Sequence, residues 1–183
     1  MSDHDTYAVD VAGVKRDLRL FEVAPGVRIA ILNILGDTEL VKAAAEALAK
    51  KLAPLQADVL VTAETKSIPL VHELAQELDL PYIVLRKHYR SYMGDALEVE
   101  TLSITTGQPQ TLFLDEKDRG LLRDKRVVLV DDVISTGSTL EAMRQVVDRA
   151  GGEIVGEAAI FTEGEKAKWQ NILAVGHLPV FTG

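Results

Sequence analysis

Cysteine is absent from the 183 residues, which excludes a disulfide framework and thiol chemistry and suits a reducing cytoplasm. Basic residues are also in short supply: 20 Lys and Arg against 28 Asp and Glu give a formal charge of −8. That balance opposes non-specific binding to nucleic acid or to an anionic membrane surface, both of which need a basic face. No apolar run approaches the length needed to span a bilayer, and the opening Met1-Ser2-Asp3-His4-Asp5 is acidic where a signal peptide would be basic and then apolar. A soluble, cytoplasmic protein is expected. His4, His72, His88 and His177 show no metal-ligand spacing, so no protein-built metal site is expected. Internal repeats and low-complexity linkers are lacking too, and a chain of this length is one domain's worth, with a sizeable core.

What is present is organised around one stretch. Val127-Val128-Leu129-Val130 has no polar alternation and reads as a strand buried on both faces, the mark of a parallel sheet covered by helices. Asp131 and Asp132 then stop it, a loop of Ser135, Thr136, Gly137, Ser138 and Thr139 follows, and Leu140, Met143, Val146, Val147 and Ala150 recur at helical spacing. Ligands of open α/β sheets bind outside the carboxyl ends of the strands, at helix N-termini. The loop's backbone N–H groups and hydroxyls suit one phosphate there. A nucleoside triphosphate loop needs a Lys, and none stands between Asp131 and Arg144. Two carboxylates would repel a bare phosphate, and because they only accept hydrogen bonds, their natural partner is a vicinal diol. A ribose 5-phosphate has both ends. Ser138-Thr139-Leu140-Glu141 also fits a capping box of the form S-x-x-E.

Taken in order, residues 7–32 read as short antiparallel strands around Gly13 and Ala24-Pro25-Gly26, too short for a core of their own and so a flap on the main domain. Asp37 is placed to cap a helix carrying Leu40, Ala44, Leu48 and Leu52, which Pro54 ends. Residues 58–63, 82–85 and 153–161 are further buried strands, with an amphipathic helix begun by Pro69 between the first two. Alternation of such strands with helices predicts an α/β fold with a doubly wound, mostly parallel sheet. Its strand ends would gather Glu64, Thr65, Lys66 and Ser67, then Arg86 and Lys87, and then Asp131 and Asp132 along one cleft. Residues 98–104 and 110–114 read as a hairpin around Thr106-Gly107, inserted beside that cleft as a mobile lid or a surface decoration, the lid being better motivated because the insertion leaves directly from the basic run. Residues 115–126 read as a solvated, charged connection.

The pattern of apolar run, two acids, two apolar residues and a T-G-x-T-like loop resembles the phosphoribosyl pyrophosphate (PRPP) motif of the type I phosphoribosyltransferases. The chain is most similar to the adenine enzymes of that family: Ala24-Pro25-Gly26-Val27 resembles the turn of their N-terminal hood, residues 76–87 their helix, strand and Arg-Lys pair, and Leu178-Pro179-Val180-Phe181 their C-terminal tail. The resemblance implies a single phosphoribosyltransferase domain over 1–183, with a hood at 1–36 and a flexible β-hairpin loop at 88–114. It further implies transfer of the phosphoribosyl group of PRPP to a purine base in purine salvage, with Mg²⁺ held mainly by PRPP or pyrophosphate, and a homodimer. Asp131 and Asp132 would be catalytic and hold the ribose. Ser135, Thr136, Gly137, Ser138 and Thr139 would hold the 5-phosphate, and Glu64, Thr65, Lys66, Ser67, Arg86 and Lys87 would face the pyrophosphate. Val27, Arg28 and Asn33 would meet the base. Adenine is the leading base. The stretch Ala30-Ile31-Leu32-Asn33 with Asp37 also resembles the hood of the xanthine enzyme, where an Asn reads the purine, and an Asn before a turn is equally ordinary turn chemistry.

Departures from the family pattern leave alternatives open. Lys66 and Ser67 stand where an Arg and a Gly are usual, and a Lys loses the bidentate fork. Ile29-Ala30-Ile31 replaces the F-R-D segment of the hood, and Thr105 precedes Thr106-Gly107 where the adenine enzymes carry a Glu. A xanthine or hypoxanthine enzyme, or a catalytically weak PRPP-binding regulator, would accommodate these changes.

Overall fold

The computed structural model describes residues 5–102 and 109–183. Three antiparallel strands come first, β1 (Thr6–Val11), β2 (Val14–Ala24) and β3 (Val27–Ile31), followed by helix α1 (Thr38–Leu52). Next are β4 (Val59–Ala63), α2 (Ile68–Leu78) and β5 (Tyr82–Leu85), then β6 (Leu97–Leu102) and β7 (Pro109–Leu114). After them run β8 (Arg126–Ile134), α3 (Ser138–Ala150), β9 (Glu153–Glu163), β10 (Leu173–Leu178) and β11 (Val180–Thr182).

The apolar runs assemble as their lack of alternation requires. β10, β9, β8, β4 and β5, in that order, form a five-stranded sheet in which every pair is parallel. Burial on both faces is shared between two cores. Leu48 and Leu52 of α1 and Leu70 and Leu74 of α2 cover Val128, Val130 and Ile160 on one face. On the other face, Met143, Val146 and Val147 of α3 cover Val127, Leu129 and Ala159, with Val99, Leu112 and Leu114 of β6 and β7 packed alongside. Asp37 caps α1 as its position predicts, accepting the Leu40 amide at 3.2 Å. Arg16 grips the same carboxylate with two bonds of 2.8 Å and holds it below the usual carboxylate range.

The chain adds strands in one direction from β4 to β5 and in the other from β8 through β9 to β10. Its topological switch point therefore lies between β4 and β8, where the carboxyl ends of adjacent strands send their loops apart and leave a crevice.

Four findings differ from the sequence expectation. β8 does not stop at Val130: it continues to Ile134, because β9 is long enough to pair Asp131 with Ala159 and Ile134 with Thr162. A fifth parallel strand, β10, was hidden by Gly176 and His177, which interrupt its apolar pattern; Gly176 is needed because a Cβ there would lie 2.6 Å from the ring of Phe161 on β9. The connection 115–126 is anchored rather than solvated throughout, with Asp115 capping a short 3₁₀ turn and Leu122 fully buried. The arms of the 88–114 hairpin pack on α3 through Val99, Leu112 and Leu114, while Thr105, Thr106 and Gly107, with the rest of the tip, lie outside the described residues.

The N-terminal strands do not stand alone. β11 pairs with β3 to complete a four-stranded antiparallel sheet, β1-β2-β3-β11, whose inner residues Val9, Val11, Leu18 and Ala30 join the core under α1. No helix among the described residues is long and apolar enough to cross a membrane.

Leu129, fully buried in the central strand, has no route to collapse around a void. Leu129→Ala is expected to lower the unfolding free energy by about 2–5 kcal/mol, read from chemical denaturation at unchanged m-value.

Candidate active site

The crevice at the switch point holds an open cavity of about 170 Å³, walled by the loop leaving β4 and the end of β8. Thr65, Lys66 and Ser67 line one side and Asp131 and Asp132 the other, with Lys87 and Thr139 at the margins. These residues come from distant parts of the chain, and parallel pairing of β4 with β8 is what brings them together.

Ser67 is the joint between the two sides. Its buried hydroxyl donates to Asp131 Oδ1 at 2.7 Å, lies 3.3 Å from Asp132 Oδ1, and accepts the Asp132 amide at 3.0 Å. The same amide also donates to Asp131 Oδ1 at 2.9 Å. Burial, and then the neighbouring charge of Asp132, push the Asp131 carboxyl up to about 7. Lys66 Nζ stands 3.1 Å from Asp132 Oδ2, yet out of line for a hydrogen bond, so that this shielded oxygen has no hydrogen-bond partner.

The turn after β8 makes a second, smaller hollow of about 40 Å³, bounded by Asp131, Val133 and the run from Ile134 to Leu140. Gly137 occupies the N-cap of α3 with φ of 82°, and no side chain caps the helix. The capping box is thus not formed. Ser138 is already in the first helical turn, and the Glu141 amide bonds the Gly137 carbonyl at 2.9 Å in ordinary helical fashion. The first-turn amides and the hydroxyls of Ser135, Thr136, Ser138 and Thr139 therefore surround an anion-sized hollow at a helix N-terminus. Gly137 is required twice over: its φ is left-handed, and a Cβ would sit 2.8 Å from the indole of Trp169. That indole donates to the Glu163 carbonyl at 2.9 Å and packs behind the turn. Sequence reasoning passed over Trp169; its being the single tryptophan, set in a charged segment without periodicity, was the available signal.

Glu64 has a bracing geometry. Its carboxylate accepts Arg86 Nε and the Lys87 amide, both at 2.6 Å, tying the end of β4 to the end of β5. Burial alone would raise this carboxyl, but the Lys87 amide and Arg86 outweigh it and hold it below the usual range. The Glu64–Thr65 peptide bond is cis. Val27, Arg28 and Asn33 are not among the described residues lining the cavity. Arg28 pairs with Asp5 at 2.6 Å, and Val27 lies in the β3–β11 ladder. Asn33 accepts the Leu35 amide at 3.3 Å as a turn residue and borders a separate hollow of about 370 Å³ with Arg16, Leu32 and Asp37.

A parallel doubly wound sheet with its polar cleft at the switch point defines a class of α/β proteins whose ligands bind across the ends of β4 and β8. Residues 31–177 match the phosphoribosyl transferase domain, and the chain belongs to that family. A hypoxanthine/guanine phosphoribosyltransferase of Methanocaldococcus sp. (strain FS406-22) is 37% identical over 111 residues, 61% of this chain and 53% of that protein. The purine biosynthesis transcriptional activator PurR of Lactococcus lactis is 28% identical over 142 residues, 78% of this chain and 51% of its own. The chain spans about half the length of the curated relatives it matches. In fold it is similar to the adenine phosphoribosyltransferase of Rhodothermus marinus, with a TM-score of 0.66 over 94% of each chain at 24% identity.

The raised Asp131 carboxyl fixes the sign of a pH effect. Between the ordinary carboxylate range and about 7 the folded protein holds a proton that the unfolded chain has released, so this site's contribution to stability is lost as pH rises through that window. Asp131→Asn keeps the accepting oxygen and removes the ionisation. Its melting temperature is expected to exceed that of the native chain at about pH 8, with the gap closing toward about pH 5; a gap constant across that range would mean that Asp131 ionises without penalty.

Proposed function

We propose that this protein transfers the phosphoribosyl group of PRPP to a purine base, releasing pyrophosphate. The observation that carries the reading is the convergence, across one switch point, of an acid pair from β8, a cation from the β4 loop and a hydroxyl-rich turn at the start of α3. PRPP has the complementary features in the same order: a diol, a pyrophosphate and a 5-phosphate.

In this reading the 5-phosphate sits in the 135–139 turn and the ribose hydroxyls donate to Asp131 and Asp132. The bond from the anomeric carbon to the pyrophosphate oxygen breaks, its electron pair leaving with the pyrophosphate, a ring nitrogen of the base bonds to that carbon from the opposite side, and the base's imidazole N–H proton passes to solvent or to the departing pyrophosphate. Positive charge develops on the ribose between the two events, and the fixed carboxylates stabilise it. Lys66 and Lys87 face the departing pyrophosphate, while Arg86 serves mainly to fix Glu64 and with it the pose of the β4 loop. Mg²⁺ would suit the site: Asp131, at the edge of both hollows, offers a hard carboxylate oxygen, and an ion carried largely by phosphate oxygens would need little more from the protein. When bound it neutralises charge on the leaving group.

For the base, the 33–37% identical relatives named hypoxanthine/guanine enzymes support a 6-oxopurine, and the similarity in fold to adenine enzymes supports adenine. A second reading, a PRPP-binding regulator with little turnover, is favoured by the similarity to PurR and by Thr105 standing where the adenine enzymes carry a Glu. The cytoplasmic location and the homodimer belong to the same proposal.

The test is to supply PRPP and Mg²⁺ with hypoxanthine, guanine, xanthine or adenine in separate reactions and to follow pyrophosphate. Rapid release with one base identifies the substrate, and Asp131→Asn with Asp132→Asn is expected to lower kcat/KM by at least about a hundred-fold while the fold survives. Trp169, behind the phosphate turn, provides a binding signal independent of turnover. PRPP that shifts its fluorescence without any base being consumed favours the regulator, and PRPP that changes neither fluorescence nor products removes both readings.

A further inference from the structure

Resting on that reading, we propose that Lys66 is a specificity-determining residue that, in the free protein, blocks the ribose-binding oxygen of Asp132 and gives it up only to a ligand carrying a pyrophosphate. The two oxygens of Asp132 are not equivalent. Oδ1 faces the Ser67 hydroxyl, whereas Oδ2 has no hydrogen bond and no exposed surface. Oδ2 is therefore the acceptor left for a ribose hydroxyl, and the Lys66 ammonium lies 3.1 Å from it. With the ammonium seated against it, this oxygen has no exposed surface left to meet a hydroxyl. The diol reaches Asp132 only if Lys66 moves.

The pair is built to part. The Lys66 side chain is 46% exposed, against 11% for Asp132, and the ammonium is out of line for a hydrogen bond. Ion pairs so exposed are weak. The mobile partner is also the exposed one, at the end of a flexible stem in the loop that borders the cavity. What differs between ligands is where the displaced ammonium goes. PRPP offers it a pyrophosphate a few ångströms away, so the charge is re-paired. Ribose 5-phosphate offers nothing at the anomeric carbon and leaves the ammonium to solvent. The same contact keeps the acid compensated when the site is empty and penalises a phosphorylated sugar that lacks the leaving group. An Arg at this position would present a planar fork with a longer reach; a Lys fits a single oxygen as a point charge.

The experiment measures the dissociation constants of PRPP and of ribose 5-phosphate, each with Mg²⁺, for the full chain and for Lys66→Met at about pH 8.5, above the raised Asp131 carboxyl of the native chain. Titration calorimetry provides the readout. Lys66→Met is expected to weaken PRPP by about ten-fold or more and to tighten ribose 5-phosphate by about three-fold or more. The second effect is the diagnostic one, because loss of a cation near an anionic sugar phosphate should by itself weaken binding. Ribose 5-phosphate bound equally or more weakly by Lys66→Met, with PRPP still bound by the native chain, overturns the gate and leaves the phosphoribosyl reading standing. A native chain that binds neither ligand overturns both.

Discussion

Two carboxylates on consecutive residues of an interior strand repel each other, and the architecture around β8 is what makes their neighbourhood tolerable. One hydroxyl, that of Ser67, reaches both; one amide, that of Asp132, is turned back toward Asp131; one cation stands near the outer oxygen. The hydroxyl and the cation depend on β4 lying beside β8 in parallel register, Val59 against Val127 and Val61 against Leu129. The apolar residues of those strands thus do more than fill a core. They hold a loop and an acid pair close together, and burial with the neighbouring Asp132 charge raises the pKa of Asp131. A site that stabilises positive charge has to tolerate this electrostatic cost when empty.

The braces around the cleft are divided by function. Glu64 with Arg86 and the Lys87 amide joins the ends of β4 and β5, and Trp169 supports the turn at Gly137 from behind. The first-turn amides of α3 and the hydroxyl of Ser135 border the smaller hollow with their positions set by the backbone, which is the form of preorganisation that costs least on binding.

Most of the parallel sheet was legible in the sequence because its strands are short runs of β-branched and large apolar residues, a pattern that local burial alone explains. Asp37 was legible as a cap for a similarly local reason. What escaped was set by partners distant in sequence. β10 carries Gly176 where Phe161 of β9 needs room, and β8 runs on through two acids because β9 offers it a ladder. The capping box at Ser138 failed because Gly137, in a left-handed conformation forced by the turn and by Trp169, took the cap position first. In the site, the acids, the hydroxyl turn and Lys66 were legible from their order along the chain and the strand-end rule. The place of Asn33 was not, because its accepting of the Leu35 amide and its position beside a separate hollow are facts of turn geometry that its neighbours in sequence do not reveal.

The pairing of β11 with β3 joins segments about 150 residues apart, Val180 against Ile29, so it closes a long loop. β1, β2 and β3 precede β11 by most of the sequence, so their sheet stays incomplete until β11 docks. During that interval the open side of β3 is an unprotected edge, carrying Ile31 with its side chain partly in water. Contacts of such wide separation form late, so the parallel sheet serves as the platform on which the antiparallel layer is fastened last.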